Sequence, residues 1–394
     1  MKNITRSVWI LSLVSLFTDM ASEMLYPIMP IFLQSIGFSV LLIGILEGLA
    51  EATAGLSKGY FGQQSDLMGR RVPFVQLGYG LSALTKPLMA LFFHPLWIFS
   101  LRTLDRLGKG IRTGARDALL SDEATPATKA QVFGFHRSMD TTGAVLGPAL
   151  ALLFLYFYPG QYRLLFVLAF FPGLLAILAT LYLKEKKQER PVEAATIRSP
   201  FSYFGYWRKS NPEYRQLVAG LLIFALFNSS DVLLLLKVKQ SGLDDTVVIG
   251  IYIFYNLVYA LFAYPLGILA DRWGKRNIFI MGLLIFAGVY IVIAFTNNLY
   301  VYLGLFLLYG LYAAATEGIS KAWISGVSAK TETATAIGLY ASLQSLCSML
   351  ASALAGLIWW KYGAGATFLL SGTVVLIVAG YFRFAVQKNE IDHS

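Results

Sequence analysis

The chain has 394 residues, 57% of them hydrophobic and 14% charged, with a formal net charge of +10. A water-soluble domain carries roughly a quarter charged residues, so this composition excludes a chain folded mainly against water. The positive charge does not imply a nucleic-acid partner, because the basic residues fall in alternate connections between apolar runs. The single Cys347 excludes an internal disulfide. Lys2 and Arg6 precede an apolar stretch with no small-residue cleavage site, so this stretch reads as a retained first membrane segment.

Apolar runs of about 20 residues, without strict alternation, predict membrane helices rather than barrel strands. They fall at about 8–33, 40–61, 72–93, 96–118, 130–156, 163–184, 214–237, 246–268, 277–297, 299–321, 334–358 and 365–386. The expected fold is an all-α membrane protein of twelve transmembrane helices in two pseudo-symmetric six-helix bundles. These would be residues 1–187 and 214–394, joined by a polar, basic linker at 188–213. One set of connections holds Arg70, Arg71, Lys129, Lys184, Arg208, Lys209, Arg272, Lys275, Arg276 and Lys330, while the other holds little beyond Arg163, Lys239 and Lys361. The bias puts both termini and the linker in the cytoplasm and the chain in the inner (plasma) membrane.

Two stretches repeat. Gly62, Asp66, Gly69, Arg70 and Arg71 follow the second span, and Gly267, Asp271, Arg272, Gly274, Lys275 and Arg276 follow the eighth, offset by about 205 residues. Gly44 with Gly250, Gly134 with Gly338 and Arg116 with Lys321 keep nearly the same offset. Duplicated six-helix halves are a transporter feature, with the substrate path between the halves. The glycines permit tight turns, and each aspartate can face the positive end of a helix.

At this motif the chain resembles the major facilitator superfamily, with Leu67 standing where that family usually has a basic residue. The resemblance covers essentially the whole chain and implies that both loops belong to a cytoplasmic gate. In the fifth span Gly134, Gly143, Gly147 and Pro148 have the spacing of the antiporter motif of proton-coupled drug exporters, although Ala151 and Leu152 replace its final glycines. In that family the bend lies where the two bundles meet.

The fourth span reads LRTLDRLGKGIRTGARDALL, and Arg102, Arg106, Lys109, Arg112 and Arg116 share one helical face with Asp105. Charges at that depth cost at least about 2.5–3.5 kcal/mol unless paired or wetted. Arg106 and Lys109-Gly110 resemble the family's fourth-span motif, with Lys replacing Gln, and that arginine is linked to proton coupling there. Carboxylates occur in the same half: Asp19 and Glu23 one turn apart, Glu47 and Glu51 likewise, and Asp140 near His136 and Arg137. Asp19, Glu23, Arg106 and Asp140 are the proton-coupling candidates; a fixed ion-pair network is the alternative.

Substrate-cavity candidates are Tyr26, Glu47, Glu51, Arg102, Lys109, Arg137, Asp231, Tyr255, Asn256, Glu317, Lys321 and Gln344. Glu317 and Lys321 lie one turn apart and can pair. The histidines show no metal-ligand spacing, and no phosphate-binding Gly-rich loop is present. No cofactor or metal is expected, nor any enzymatic activity, and the chain is expected to act as a monomer. The reading is a proton-coupled exporter of a small organic molecule with an anionic group. The alternatives are a proton symporter importing a sugar, organic acid or phosphorylated metabolite, and a non-transporting membrane sensor or assembly partner.

Overall fold

The computed structural model describes residues 4–26, 28–29, 32–33, 36–38, 40–92, 94–185, 199 and 201–385. The side chains of 40, 41, 43–45, 47, 245 and 246 are outside this description, and with them the candidate Glu47 and the repeat glycine Gly44. The described residues are all-α and form twelve helical spans. They are α1 (Arg6–Glu23), α2 (Val40–Met68), α3 (Val72–Met89), α4 (Pro95–Glu123) and α5 (Lys129–Phe157). α6 is the pair Tyr162–Leu168 and Phe170–Thr180, and α7 the pair Pro212–Phe227 and Asp231–Gln240. α8 (Asp245–Trp273), α9 (Lys275–Ile293) and α10 (Leu299–Val327) follow. The run Thr333–Phe384 contains α11 (333–362) and α12 (364–384), parted at Gly363, whose φ of 85° suits glycine.

The ends are chemically marked. Thr5 caps α1 through Val8 N (3.3 Å), and Asn211 caps α7 through Tyr214 N (2.7 Å) ahead of Pro212. Asn298 caps α10 through Tyr300 N at 2.8 Å. α1 ends at Glu23, where turns follow at 24–26 and 28, and Met29, Phe32 and Leu33 within the expected span are again helical, with Met29 N bonded to Leu25 O at 2.8 Å. α2 runs on to Met68, so Gly62 and Asp66 lie in its last turns and not in a loop; Gly267 and Asp271 likewise lie inside α8.

The chain divides into two compact units. The first comprises Met1–Thr125, Phe135–Arg208 and Ala329–Ser345; the second comprises Pro126–Gly134, Lys209–Ser328 and Leu346–Ser394. The units therefore follow the two halves of the sequence except at two places: the start of α11 belongs to the first unit, and the start of α5 to the second. Linker residues 188–198 and 200 lie outside the described residues.

Small residues set the close crossings of the first unit. A Cβ added at Gly108 of α4 would lie 2.7 Å from the Gly78 carbonyl of α3. On α5, a Cβ at Gly143 would meet Leu16 O at 2.3 Å and one at Gly147 would meet Met20 O at 2.6 Å, both on α1. Backbone atoms cannot swing aside, so Gly143→Val is expected to cost at least about 1–3 kcal/mol. The thermal unfolding midpoint in detergent should drop by several degrees, whereas Gly80→Ala, with nothing within 4 Å of its Cβ position, should leave it unchanged or raised. The second unit packs aromatic rings: Phe286 stacks on Tyr290 with centroids 3.9 Å apart, and Phe279 meets Phe382 at 4.9 Å.

Candidate functional site

The single cationic face expected for α4 splits in two. Arg102, Asp105 and Arg112 are buried and share a network with α3. Asp105 Oδ1 accepts from Ser82 Oγ (2.8 Å) and lies 3.5 Å from Lys86 Nζ, while Arg102 Nη1 stands 3.7 Å from Oδ2. Arg112 donates to Ser82 Oγ at 2.9 Å, with its guanidinium carbon 4.4 Å from the centre of the Tyr79 ring. This network contains none of the four proton-coupling candidates Asp19, Glu23, Arg106 and Asp140. Lys86, 2% exposed, is not among the sequence candidates, although a lysine beside Pro87 in an apolar span is signal enough. Asp105→Asn leaves buried cations facing one another and is expected to cost about 3–5 kcal/mol of stability. Adding Lys86→Met should restore much of the lost melting temperature; no recovery would remove Lys86 from the network.

The other part of α4 meets the carboxylates. Arg106 is half-buried and Lys109 exposed. Lys109 lies within Coulombic range of Asp19, Glu23 and Glu51, and Arg106 within range of Glu23 and Glu51. The carboxyl groups of Asp19 and Asp140 lie close enough to act directly on each other's charge. Asp140 also accepts from the Ser15 hydroxyl and, at 2.6 Å, from Arg137 Nη1. Arg116 Nη1 reaches Ser15 Oγ at 3.5 Å and Arg116 pairs with Asp117 at 2.9 Å. His136 is buried and within Coulombic range of Asp140.

The pairing of Asp19 is therefore with Asp140 across two helices, not with Glu23 one turn away. The reason is the glycine face of α5. Asp140, Gly143 and Gly147 share that face, and the two glycines bring it against α1 close enough for Asp140 to reach Ser15 and Asp19. The antiporter-like glycines thus pack inside the first unit on α1, and Gly134 packs in the second unit against Ala263 O. Tyr26 is exposed and Gln344 half-buried.

The two repeated motifs build matching clasps, one in each unit. In the first, Asp66 Oδ2 accepts from Thr335 N (2.7 Å) and Thr335 Oγ1 (2.8 Å), capping the start of α11. A Cβ at Gly62 would lie 2.4 Å from Ala334 O, and one at Gly338 would lie 2.5 Å from Lys58 O. In the second, Asp271 accepts from Ala130 N (3.0 Å) and Gln131 N (2.7 Å) at the start of α5. There Gly267 faces Ala130 O at 2.4 Å and Gly134 faces Ala263 O at 2.5 Å, by the same measure. Gly69 (φ 63°) and Gly274 (φ 90°) make the sharp turns that end α2 and α8. Helix N-termini bind anions, which explains why an aspartate stands at both positions.

The first clasp is the more elaborate. Arg71, 4% exposed, pairs with Asp66 (3.3 Å) and Asp122, donates to Lys330 O (3.2 Å), and its N–H donates to Glu185. Ser202 donates to Gln63 Oε1 at 2.6 Å, and the buried Tyr203 ring fills the space beside Gly59. Burial pushes the Tyr206 phenol up, with Glu332 and Asp66 adding to it. In the second clasp Lys275 stands 3.3 Å from Asp271. Arg70 and Arg272 are exposed and Arg276 half-buried.

In the second unit α7 breaks between Phe227 and Asp231. Ser230 caps the second segment through Val232 N (3.4 Å), which leaves the Asp231 carboxylate for other partners. It accepts from Tyr255 Oη of α8 (2.7 Å) and Tyr309 Oη of α10 (2.6 Å). Asp231 and Tyr255 are separate substrate-cavity candidates in the sequence; Tyr309 is not among them, because no spacing in the sequence links α10 to α7. Asn256 is buried and donates to Tyr252 O of its own helix at 2.9 Å. Glu317 is exposed and Lys321 half-buried.

Comparisons with known proteins agree in kind. The family description Major Facilitator Superfamily matches residues 11–255 and 238–393. An uncharacterized MFS-type transporter of Methanocaldococcus jannaschii is 32% identical over 386 residues, covering 96% of this chain and 94% of that protein. An uncharacterized protein of Mycobacterium tuberculosis is 25% identical over 385 residues, 95% of this chain and 89% of its own. Among solved structures, the human organic anion transporter MFSD10 (TETRAN) superimposes with a TM-score of 0.79 at 20% identity, over 96% of this chain and 99% of that one. A variant of the Escherichia coli fucose:proton symporter FucP gives a TM-score of 0.79 at 12% identity, over 97% and 98%.

Proposed function

The chain belongs to the Major Facilitator Superfamily and is a multi-pass transporter of small molecules across a lipid bilayer, and we propose that it is a proton symporter whose proton carrier is the Asp19–Asp140 pair. One observation carries the proposal, the closeness of these two carboxyl groups, which act directly on each other's charge. Two ionised carboxylates placed so closely repel each other, which favours one proton held between them. Arg137 and the Ser15–Arg116 link hold the pair in place, and Lys109 gives Asp19 an alternative, charged partner. A carboxyl with two such partners can hold a proton in one arrangement of the helices and release it in another.

Symport is preferred to export because Gly143 and Gly147 of the antiporter-like motif have a local task at the crossing of α1 and α5, and Gly134 one at the contact with α8. The fucose:proton symporter among the similar folds is consistent with this choice. An anionic group on the substrate would rest on Arg106 and Lys109 of α4, since Arg102, Arg112 and Arg116 are engaged with Asp105, Ser82 and Asp117. The inner membrane, with both termini cytoplasmic, remains the assignment that the Lys and Arg bias supports.

The test uses membrane vesicles of known orientation with an imposed pH gradient and a library of labelled sugars, organic acids and amines. Accumulation under an inward proton gradient, abolished by a protonophore, is the expected result. Accumulation only under an outward gradient would replace symport by export, and accumulation indifferent to the gradient would end the coupling claim.

A further inference from the structure

We infer that Tyr203 of the linker is a positioning residue of the first clasp: its ring holds the start of α11 on α2, taking the place that Tyr264 has in the second clasp. The basis is an asymmetry between two otherwise matching clasps. At the repeat offset of 205 residues Gly62 corresponds to Gly267 and Asp66 to Asp271, and at the same offset Gly59 corresponds to Tyr264. The neighbouring contacts correspond too, since Gly338 faces Lys58 O as Gly134 faces Ala263 O, one residue before each of these positions. The second half therefore carries a tyrosine in its own helix where the first half carries a glycine.

In the second clasp the Tyr264 hydroxyl accepts from Gln131 Nε2 at 3.0 Å, which ties α8 to the helix start that Asp271 caps. In the first clasp α2 has no side chain to offer at Gly59, and the ring comes from the linker. The three atoms nearest to a Cβ added at Gly59 all belong to the Tyr203 ring, at 2.3, 2.5 and 2.6 Å. Gly59 itself lies on the contact with α11: its N–H donates to Ser342 Oγ (3.0 Å), and Ser342 donates in turn to Gly55 O (2.6 Å). Burial pushes the Tyr203 phenol up, while the nearby Ser342 hydroxyl pulls it back. The linker turn Ser202–Gly205 is fixed along the same face of α2, on which positions 59, 63 and 66 fall. Ser202 donates to Gln63 Oε1 at 2.6 Å, and Tyr206, 7% exposed, lies within Coulombic range of Asp66 and of Glu332 just ahead of α11. A connection that only joined two halves would run over the surface, whereas Tyr203 is fully buried.

The experiment compares thiol labelling at two fully buried alanines, one in each clasp, in the full-length protein carrying Cys347→Ser. Ala334→Cys reports on the start of α11 and Ala130→Cys on the start of α5. Tyr203→Ala should speed labelling at 334 by at least about tenfold and leave 130 at the parent rate. Tyr203→Phe keeps the ring and should label at 334 as the parent does. Tyr264→Ala should give the mirror result, faster at 130 and unchanged at 334. Should Tyr203→Ala fail to fold, Gly59→Ala displaces the ring without removing it and must speed labelling at 334, while Gly205→Ala, with nothing within 4 Å of its Cβ position, must not. Parent-like labelling at 334 by Tyr203→Ala would overturn the inference. So would equal acceleration at 334 and 130, which would make Tyr203 a general stabiliser of the fold. Neither a substrate nor a proton gradient enters the measurement, so its outcome is separate from that of the proton-carrier proposal.

Discussion

Asp19→Asn is expected to abolish accumulation of substrate against a gradient while leaving exchange at equilibrium in place. The amide can still donate to Asp140, so the α1 to α5 contact survives, but the exchangeable proton is gone. Asp140→Asn should do more harm. It removes the partner of Arg137, 2.6 Å away, and of the Ser15 hydroxyl, so both coupling and stability should fall. Glu23→Gln, whose carboxylate is outside this pair, should have the smallest effect of the three. Counterflow and proton-driven uptake measured on the same vesicles distinguish these outcomes. Full proton-driven accumulation by the Asp19→Asn, Asp140→Asn double variant would refute the assignment outright.

Asp66→Ala should open the first clasp. The change removes the cap from the start of α11, worth about 0.5–2 kcal/mol. It also deprives the buried Arg71 of one of its two carboxylates, and breaking a buried pair costs about 3–5 kcal/mol. Even about 3 kcal/mol corresponds to roughly two orders of magnitude in an equilibrium between clasped and released states. Asp271→Ala should have a smaller effect, because its cation, Lys275, is half-exposed and can turn to solvent. The readout is thiol labelling at the fully buried position 334 through Ala334→Cys in a Cys347→Ser background. Asp66→Ala should label far faster than the parent, and Asp271→Ala close to it. Equal labelling of all three would show that Asp66 does not hold α11.

The two predictions draw on different levels of information. The aspartates of the clasps were legible because the motif occurs twice at one offset, and because an acid near a helix start has a known electrostatic use. Their partners were not legible. Thr335 lies far along the chain from Asp66, and nothing in its local sequence marks it. The same holds for Tyr309 opposite Asp231 and for Lys86 opposite Asp105, although Lys86 could have been noticed as a charge within an apolar span.

By itself the sequence determined the class of the protein. Apolar runs of bilayer length, the alternating basic connections and the internal repeat follow from the solvent in which each segment must live, and that constraint acts residue by residue along the chain. The tertiary structure alone decided which charges meet. A helical face spans many residues, and a charge on it is satisfied by whichever neighbour comes within a few ångströms, a matter of how closely helices cross. At α3 with α4 and at α1 with α5 that distance was set by Gly78, Gly108, Gly143 and Gly147. Those glycines made a fixed network of Arg102, Asp105 and Arg112, and brought Asp19 to Asp140 where its nearest acid in sequence is Glu23.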